Sequence, residues 1–142
     1  EKEAVRIGGG MNHRFALYDM IMLKDNHIDY AGGIPQAIER THEYLYKLGK
    51  SLKIEIEVRD EKELDEVLAV GKVDRIMLDN FTPDEIRVAL KKIPSSFETE
   101  ASGGITKETI RAYAETGVDF ISVGALTHSY NSLDLSLKAV FE

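Results

Sequence analysis

Cysteine and tryptophan are absent from this 142-residue chain, and there are only three prolines. Without cysteine no disulfide framework can form; the absence fits a reducing compartment, although secreted chains can lack cysteine too. Basic residues are outnumbered by acidic ones, 18 to 25. The formal net charge is −7, and no cluster of Lys and Arg stands out, which excludes an electrostatic footprint for nucleic acid. No apolar run approaches the roughly 20 residues of a membrane helix, and the start carries no signal-peptide pattern. A cytoplasmic location is therefore expected. The chain opens on Glu1-Lys2-Glu3 with no initiator methionine, as a processed or excised piece of a longer protein would. What remains is a chain that is 43% hydrophobic, enough for one core, and the expectation is a single domain over residues 1–142.

Strand patterns recur at a short period. Met20-Ile-Met-Leu23 is followed by Ile54-Glu-Ile-Glu-Val58, Arg75-Ile-Met-Leu78, Phe97-Glu-Thr-Glu-Ala101 and Phe120-Ile-Ser-Val123. From the second onward they are spaced by roughly twenty residues, with helical patterns between them. Pro35 begins the first helix, with Ile34, Ala37, Ile38, Thr41, Leu45 and Leu48 on one face and Gly49 closing it. Asp60 with Glu63, and Thr82 with Glu85, read as capping boxes ahead of helices whose apolar stripes are Leu64, Val67, Leu68 and Ile86, Ala89, Leu90, Ile93. Thr106 is expected to cap a helix carrying Ile110, Tyr113 and Ala114, and a last helix is expected from about Asp134 through Val140. Gly8-Gly9-Gly10 reads as a loop, with residues 1–19 a polar entry segment.

Strands alternating with helices in this way predict an α/β fold of parallel βα repeats with at least five strands. A closed barrel needs eight, in roughly 250 residues, so the expectation is part of a (β/α) barrel or a small open sheet. In both, ligands lie beyond the C-terminal strand ends, where polar residues weigh most. Lys24 closes the first strand, Glu57 lies near the end of the second, Asp79-Asn80 closes the third, Ser102-Gly103-Gly104 the fourth and Gly124-Ala125 the fifth. The glycines leave backbone N–H groups bare, as a phosphate requires, and equally suit tight βα turns. Lys24 is either a ligand contact or a rim lysine. Glu55 and Glu57 share a strand face, and two carboxylates on a buried strand must meet water, cations, a metal or a ligand. Asp79 could cap a helix, but Thr82 already fills that position. His13 beside Arg14 is either a ligand contact or surface decoration, and His27, His42 and His128 are scattered, with His42 on a helix.

Six blocks taken together resemble the quinolinate phosphoribosyltransferase family, the carboxylating nicotinate-nucleotide pyrophosphorylases: Gly8-Gly-Gly-Met-Asn-His-Arg14, Leu23-Lys-Asp-Asn-His27, Ile56-Glu57-Val58, Met77-Leu-Asp-Asn80, Glu100-Ala-Ser-Gly-Gly-Ile-Thr106 and Ile121-Ser-Val-Gly-Ala-Leu-Thr-His128. The resemblance runs in the family's order and implies phosphoribosyl transfer from PRPP to quinolinate, with loss of pyrophosphate and CO₂, giving nicotinate mononucleotide in NAD synthesis with Mg²⁺ present. It implies that His13, Arg14 and Lys24 face the quinolinate carboxylates. Lys24, Glu57 and Asp79 would then be the catalytic set, with Glu57 and Asp79 addressing the ribose hydroxyls and Mg²⁺, directly or through water. Ser102, Gly103, Gly104, Gly124, Ala125 and His128 would hold the 5′-phosphate. A homodimer or higher homo-oligomer is implied for the full-length protein.

The family carries a Thr-Arg-Lys-Thr segment and an N-terminal domain ahead of the part that matches. Neither is in this sequence, so the resemblance covers the C-terminal barrel portion and implies that these residues alone are nearly inactive. Two rival readings stand beside it. One is a related phosphoribosyltransferase acting on a monocarboxylate, or a pyrophosphorylase-like protein of molybdate operons; the other is a non-catalytic phosphate-binding module on the same scaffold.

Overall fold

The computed structural model describes residues 1–140. Its elements are α1 (Lys2–Ile7), β1 (Met20–Leu23), α2 (Asp25–Ala31), α3 (Ile34–Leu48), β2 (Lys53–Val58), α4 (Glu61–Val70), β3 (Arg75–Asp79), α5 (Pro83–Lys92), β4 (Glu98–Ser102), α6 (Ile110–Ala114), β5 (Phe120–Ile121) and α7 (Ala125–His128). Every strand pairing is parallel, and the strands lie in the order β1-β2-β3-β4-β5. An order that never turns back is that of a barrel wall; a doubly wound sheet reverses at a switch point.

The two faces of this sheet differ in chemistry. Ile54, Ile56 and Val58 of β2, Ile76 and Leu78 of β3 and Ala101 of β4 join Ile34 and Ile38 of α3, Leu64 and Val67 of α4, and Ile86 and Ala89 of α5 in one buried cluster. Each such large aliphatic side chain contributes about 1.5–3 kcal/mol when fully buried, so this face carries the stability. The alternate positions Glu55, Glu57, Arg75, Met77 and Glu100 are also buried, yet belong to no part of that cluster. Charged groups cost free energy to desolvate. A sheet that buries four charged side chains on one face, beside Met77, holds that face for something other than packing.

Local signals place the helices. Thr82 and Glu85 form the reciprocal capping box at the start of α5, and Pro83 opens it. Replacing Thr82 by Ala should lower stability by about 1 kcal/mol, measured by urea unfolding, with no change in the m-value. At α4 the box is half formed: the Asp60 carboxylate accepts from the Glu63 N–H, while the Glu63 carboxylate turns back to the backbone and guanidinium of Arg59. A further device repeats just ahead of two strands. The Asp74 carboxylate accepts from the Ile54 N–H at 2.7 Å, and the Asp119 carboxylate from the Thr99 N–H at 2.8 Å. Each ties the start of one strand to its neighbour. The shared Val-Asp pairs, Val73-Asp74 and Val118-Asp119, are the sequence signal for it.

Several expectations need correction. Residues 2–7 form a helix, α1, ending at Gly8 and Gly9 rather than an unstructured entry, but it buries none of its residues. Leu48 is half exposed, because α3 reaches its last turn there and Gly49 in the left-handed region ends it. Thr106 opens a turn rather than α6: its N–H donates to Thr109 Oγ1, its carbonyl accepts from Ile110, and the helix proper begins at Ile110. The helix expected from Asp134 is absent. Residues 130–140 have no regular structure, and Leu133, Leu135, Leu137 and Val140 find no apolar surface to cover them.

Candidate active site

The functional positions follow from strand register. Met22 pairs with Glu55, Glu57 with Met77, and Asp79 with Ser102, so side chains from successive strands share the polar face at matched heights. Near the C-terminal ends they enclose a cleft of about 300 Å³ lined by His13, Met22, Lys24, Glu57, Met77, Asp79, Ser102 and Ser122. His13, Lys24, Glu57, Asp79 and Ser102 are thus brought together from five segments of chain.

Lys24 follows β1 as the N-cap of α2 and keeps its side chain half exposed, with the ammonium 3.5 Å from Glu57 Oε2. Its backbone N–H donates to Nδ1 of His27, which fixes the turn. Glu57 is only 8% exposed, and burial pushes its carboxyl above the usual carboxylate range, with Lys24 opposing and Asp79 reinforcing that shift. Asp79 accepts from the side-chain amide of Asn80 at 2.6 Å. A half-exposed ammonium shares the cleft with two carboxylates.

Deeper on the same face lies a buried charge network. His13 Nε2 is 2.5 Å from Glu55 Oε2 and 3.8 Å from Glu100 Oε2. Arg75 binds Glu100 at 2.8 Å and Glu98 at 2.9 Å, and its guanidinium stacks on Phe120 with 4.0 Å to the ring centroid. Lys53 completes the pairing of Glu98, and the Ser122 hydroxyl donates to Glu100. The hydrogen bond from Glu55 raises His13 above the ordinary histidine value, against its own desolvation. Desolvation likewise raises the Glu100 carboxyl. Arg75, Glu100 and Ser122 were not singled out by sequence reasoning. The acidic alternation of β2 is repeated in β4 as Glu98 and Glu100, and that repeat was the available signal.

The glycine turn after β4 follows directly on Ser102, and neither glycine is itself a lining residue. Gly103 (φ +96) and Gly104 (φ +59) lie in the left-handed region, and among the described residues their N–H groups donate to no protein acceptor. At Gly103 a second constraint operates, since a Cβ would come within 2.6 Å of Asn80 Cγ and 2.7 Å of the Asn80 nitrogen. Gly124 and Ala125 begin α7 after β5, and His128 folds back toward Gly124, its Nδ1 2.6 Å from Ser129 Oγ. These three stand beside the cleft rather than in its lining. Arg14 turns its guanidinium to the Met20 carbonyl at 3.0 Å, away from the lining residues. Among the other histidines, His42 donates to the Lys72 carbonyl at 2.7 Å.

A wall of parallel strands in unbroken order, each followed by a helix, with cations and carboxylates at its strand ends, defines a domain of the α/β-barrel type. The chain belongs to the quinolinate phosphoribosyltransferase family: the sequence profile described as "Quinolinate phosphoribosyl transferase, C-terminal domain" matches residues 1–138. It is 50% identical over 137 residues to a probable nicotinate-nucleotide pyrophosphorylase [carboxylating] of Bacillus subtilis, covering 96% of this chain and 46% of that protein. To the chloroplastic nicotinate-nucleotide pyrophosphorylase [carboxylating] of Arabidopsis thaliana it is 46% identical, covering 97% of this chain and 44% of that one. Among solved structures, NadC from Streptococcus pyogenes superposes with a TM-score of 0.87 at 43% identity, over 97% of this chain and 47% of that chain. The chain spans about half the length of the relatives it matches. A thiamine phosphate pyrophosphorylase from Pyrococcus furiosus, at 20% identity and a TM-score of 0.59, shares the fold.

Proposed function

We propose that the protein transfers a phosphoribosyl group from PRPP to quinolinate, releasing pyrophosphate and CO₂ and leaving nicotinate mononucleotide, as the names of its relatives imply. The observation that carries this reading is the gathering of opposite charges in one cleft: His13 and Lys24 line it together with Glu57 and Asp79, and the bare amides of Gly103 and Gly104 follow directly on Ser102 of the lining. Cations match a dicarboxylate. Carboxylates match the positive character that grows on the sugar as pyrophosphate departs, and amides match the 5′-phosphate. Holding both reactants in one cleft supplies the orientation that a reaction between two separate molecules lacks.

Glu57 and Asp79 offer hard oxygen donors at the cleft mouth, with Glu57 short of compensating charge, so the residues fit Mg²⁺. Mg²⁺ bound there would neutralise the leaving pyrophosphate. Lys24, now paired with Glu57, is free to swing to a substrate carboxylate because half of its side chain remains in solvent. Ser102, Gly124, Ala125 and His128 complete the phosphate side in this reading, and Arg14 reaches quinolinate only by leaving the Met20 carbonyl. A cytoplasmic site of action and a homo-oligomeric assembly belong to the same proposal; among the described residues no helix is long and apolar enough to cross a membrane.

Calorimetry with quinolinate and with nicotinate tests the substrate. Two cations predict tighter binding of the dianion by roughly tenfold or more, at about 1.5–3 kcal/mol for a charge-assisted contact. Tighter binding of nicotinate would overturn the assignment and favour a phosphoribosyltransferase for a monocarboxylate.

A further inference from the structure

We propose that Glu55 is the positioning residue for His13: it fixes the imidazole through Nε2, so that the remaining nitrogen, Nδ1, is presented as a donor to a carboxylate in the cleft. The inference rests on the functional reading above, and the geometry leaves few alternatives. Glu55 is fully buried, and its Oε1 has no hydrogen-bond partner among the described residues, so the 2.5 Å contact from Oε2 to His13 is the one hydrogen bond its side chain makes there. A carboxylate only accepts, which requires the proton on Nε2. In a neutral ring Nδ1 would then be an acceptor, repelled by any substrate carboxylate. Only the doubly protonated ring can bind on both sides. Glu55 therefore does two things from beneath the cleft: it sets the ring's orientation and makes its second proton affordable in a half-buried place.

The other groups around His13 agree with this assignment. From β4, Glu100 approaches to 3.8 Å and favours the cation; from β3, Arg75 opposes it but is held by Glu98 and Glu100. Lys24, just after β1, shares the cleft with Glu57 of β2 and Asp79 of β3. The oxygens of Glu55 and Glu100 with His13 Nε2 also lie within 4.8 Å of one another, close enough to consider a metal. Both Glu100 oxygens are already occupied, however, by Arg75 and Ser122. Arg75 takes the place beside Glu100 that a metal ion would need.

The test is an NMR titration of the His13 ring beside quinolinate calorimetry across pH. The His13 midpoint should lie above that of an unperturbed histidine and fall in Glu55→Gln, whereas Glu98→Gln, which removes a carboxylate that does not touch His13, should move it far less. Quinolinate affinity should decline as pH rises through the His13 midpoint. In Glu55→Gln it should be about tenfold weaker at neutral pH, the size of one charge-assisted contact, and recover in acid. If the glutamine variant does not fold, Glu55→Asp, one methylene short of His13, should lower the midpoint by a smaller amount. An unchanged midpoint in either variant overturns the proposal, as does an affinity loss equal at every pH, which would mark Glu55 as merely structural. Suppression of the His13 titration by micromolar Zn²⁺ also overturns it in favour of a metal site. A wild-type protein that fails to bind quinolinate at any pH sinks the functional reading, and the NMR arm still decides whether Glu55 governs His13.

Discussion

Glu57→Gln should lower turnover by a factor on the order of 10² or more, with a smaller change in the affinity for quinolinate, while leaving the protein at least as stable as before. The two halves of this expectation come from one fact. Glu57 is 8% exposed, and its carboxyl is raised by desolvation, with Lys24 at 3.5 Å only partly compensating. A folded-state pKa above the unfolded value means stability that is complete below the unfolded pKa and is lost as pH rises through the folded one. At neutral pH the wild type has lost that contribution. Glutamine has no proton to lose, so the melting temperature of the variant should rise relative to wild type at pH 7 to 8, and the difference should close in acid. The charge that costs stability is the charge that would face the developing sugar cation, which is why the reaction should suffer when it goes. Thermal melts at two pH values with steady-state kinetics on the intact protein test both parts. Turnover within a few-fold of wild type would remove Glu57 from the catalytic set, and no turnover by the intact wild type would favour the non-catalytic reading of the scaffold.

Gly103→Ala should be the most destabilising small substitution in the chain, at roughly 2–4 kcal/mol, with phosphate affinity lost in parallel. The backbone there sits at φ +96, and the added methyl would run into both the side chain and the main-chain nitrogen of Asn80. Asn80 cannot easily retreat. Its N–H donates to the Ser102 carbonyl at 2.8 Å, and it is itself in the left-handed region at φ +59. For that reason Asn80→Gly should not rescue Gly103→Ala, since the obstructing nitrogen remains. Gly104→Ala is the matched control. Its φ is +59 and no atom lies within 4 Å of the added carbon, so the cost should be about 1 kcal/mol. Urea unfolding of the two variants and the double mutant provides the comparison. Equal costs at 103 and 104 would show that backbone conformation alone, and not contact with Asn80, constrains the turn.

The two glycines illustrate how far sequence reasoning reached. Adjacent glycines after a strand signalled a turn with bare amides, and the turn is there. That Gly103 is also pinned by Asn80, from the loop of the neighbouring strand, could not be read locally, because the contact depends on β3 and β4 pairing with Asp79 opposite Ser102. The same distinction explains the miss at residues 134–140. Their apolar spacing matches a helix, but a helix that short is held by burying its stripe, and Leu135, Leu137 and Val140 are all exposed.

The strand and helix rhythm, the caps at Asp60 and Thr82, and the location of Lys24, Glu57, Asp79 and Ser102 at strand ends were determined by the sequence itself, because periodicity and capping act over a few residues. The tertiary structure alone decided which charges meet. His13 reaches Glu55 across 42 positions and Arg75 reaches Glu100 across 25, and such pairs are set by parallel register and by which face of each strand looks inward. Two glutamates two positions apart, Glu55 and Glu57, look alike in the sequence. Depth separates them: one is buried under a histidine and the other opens on the cleft.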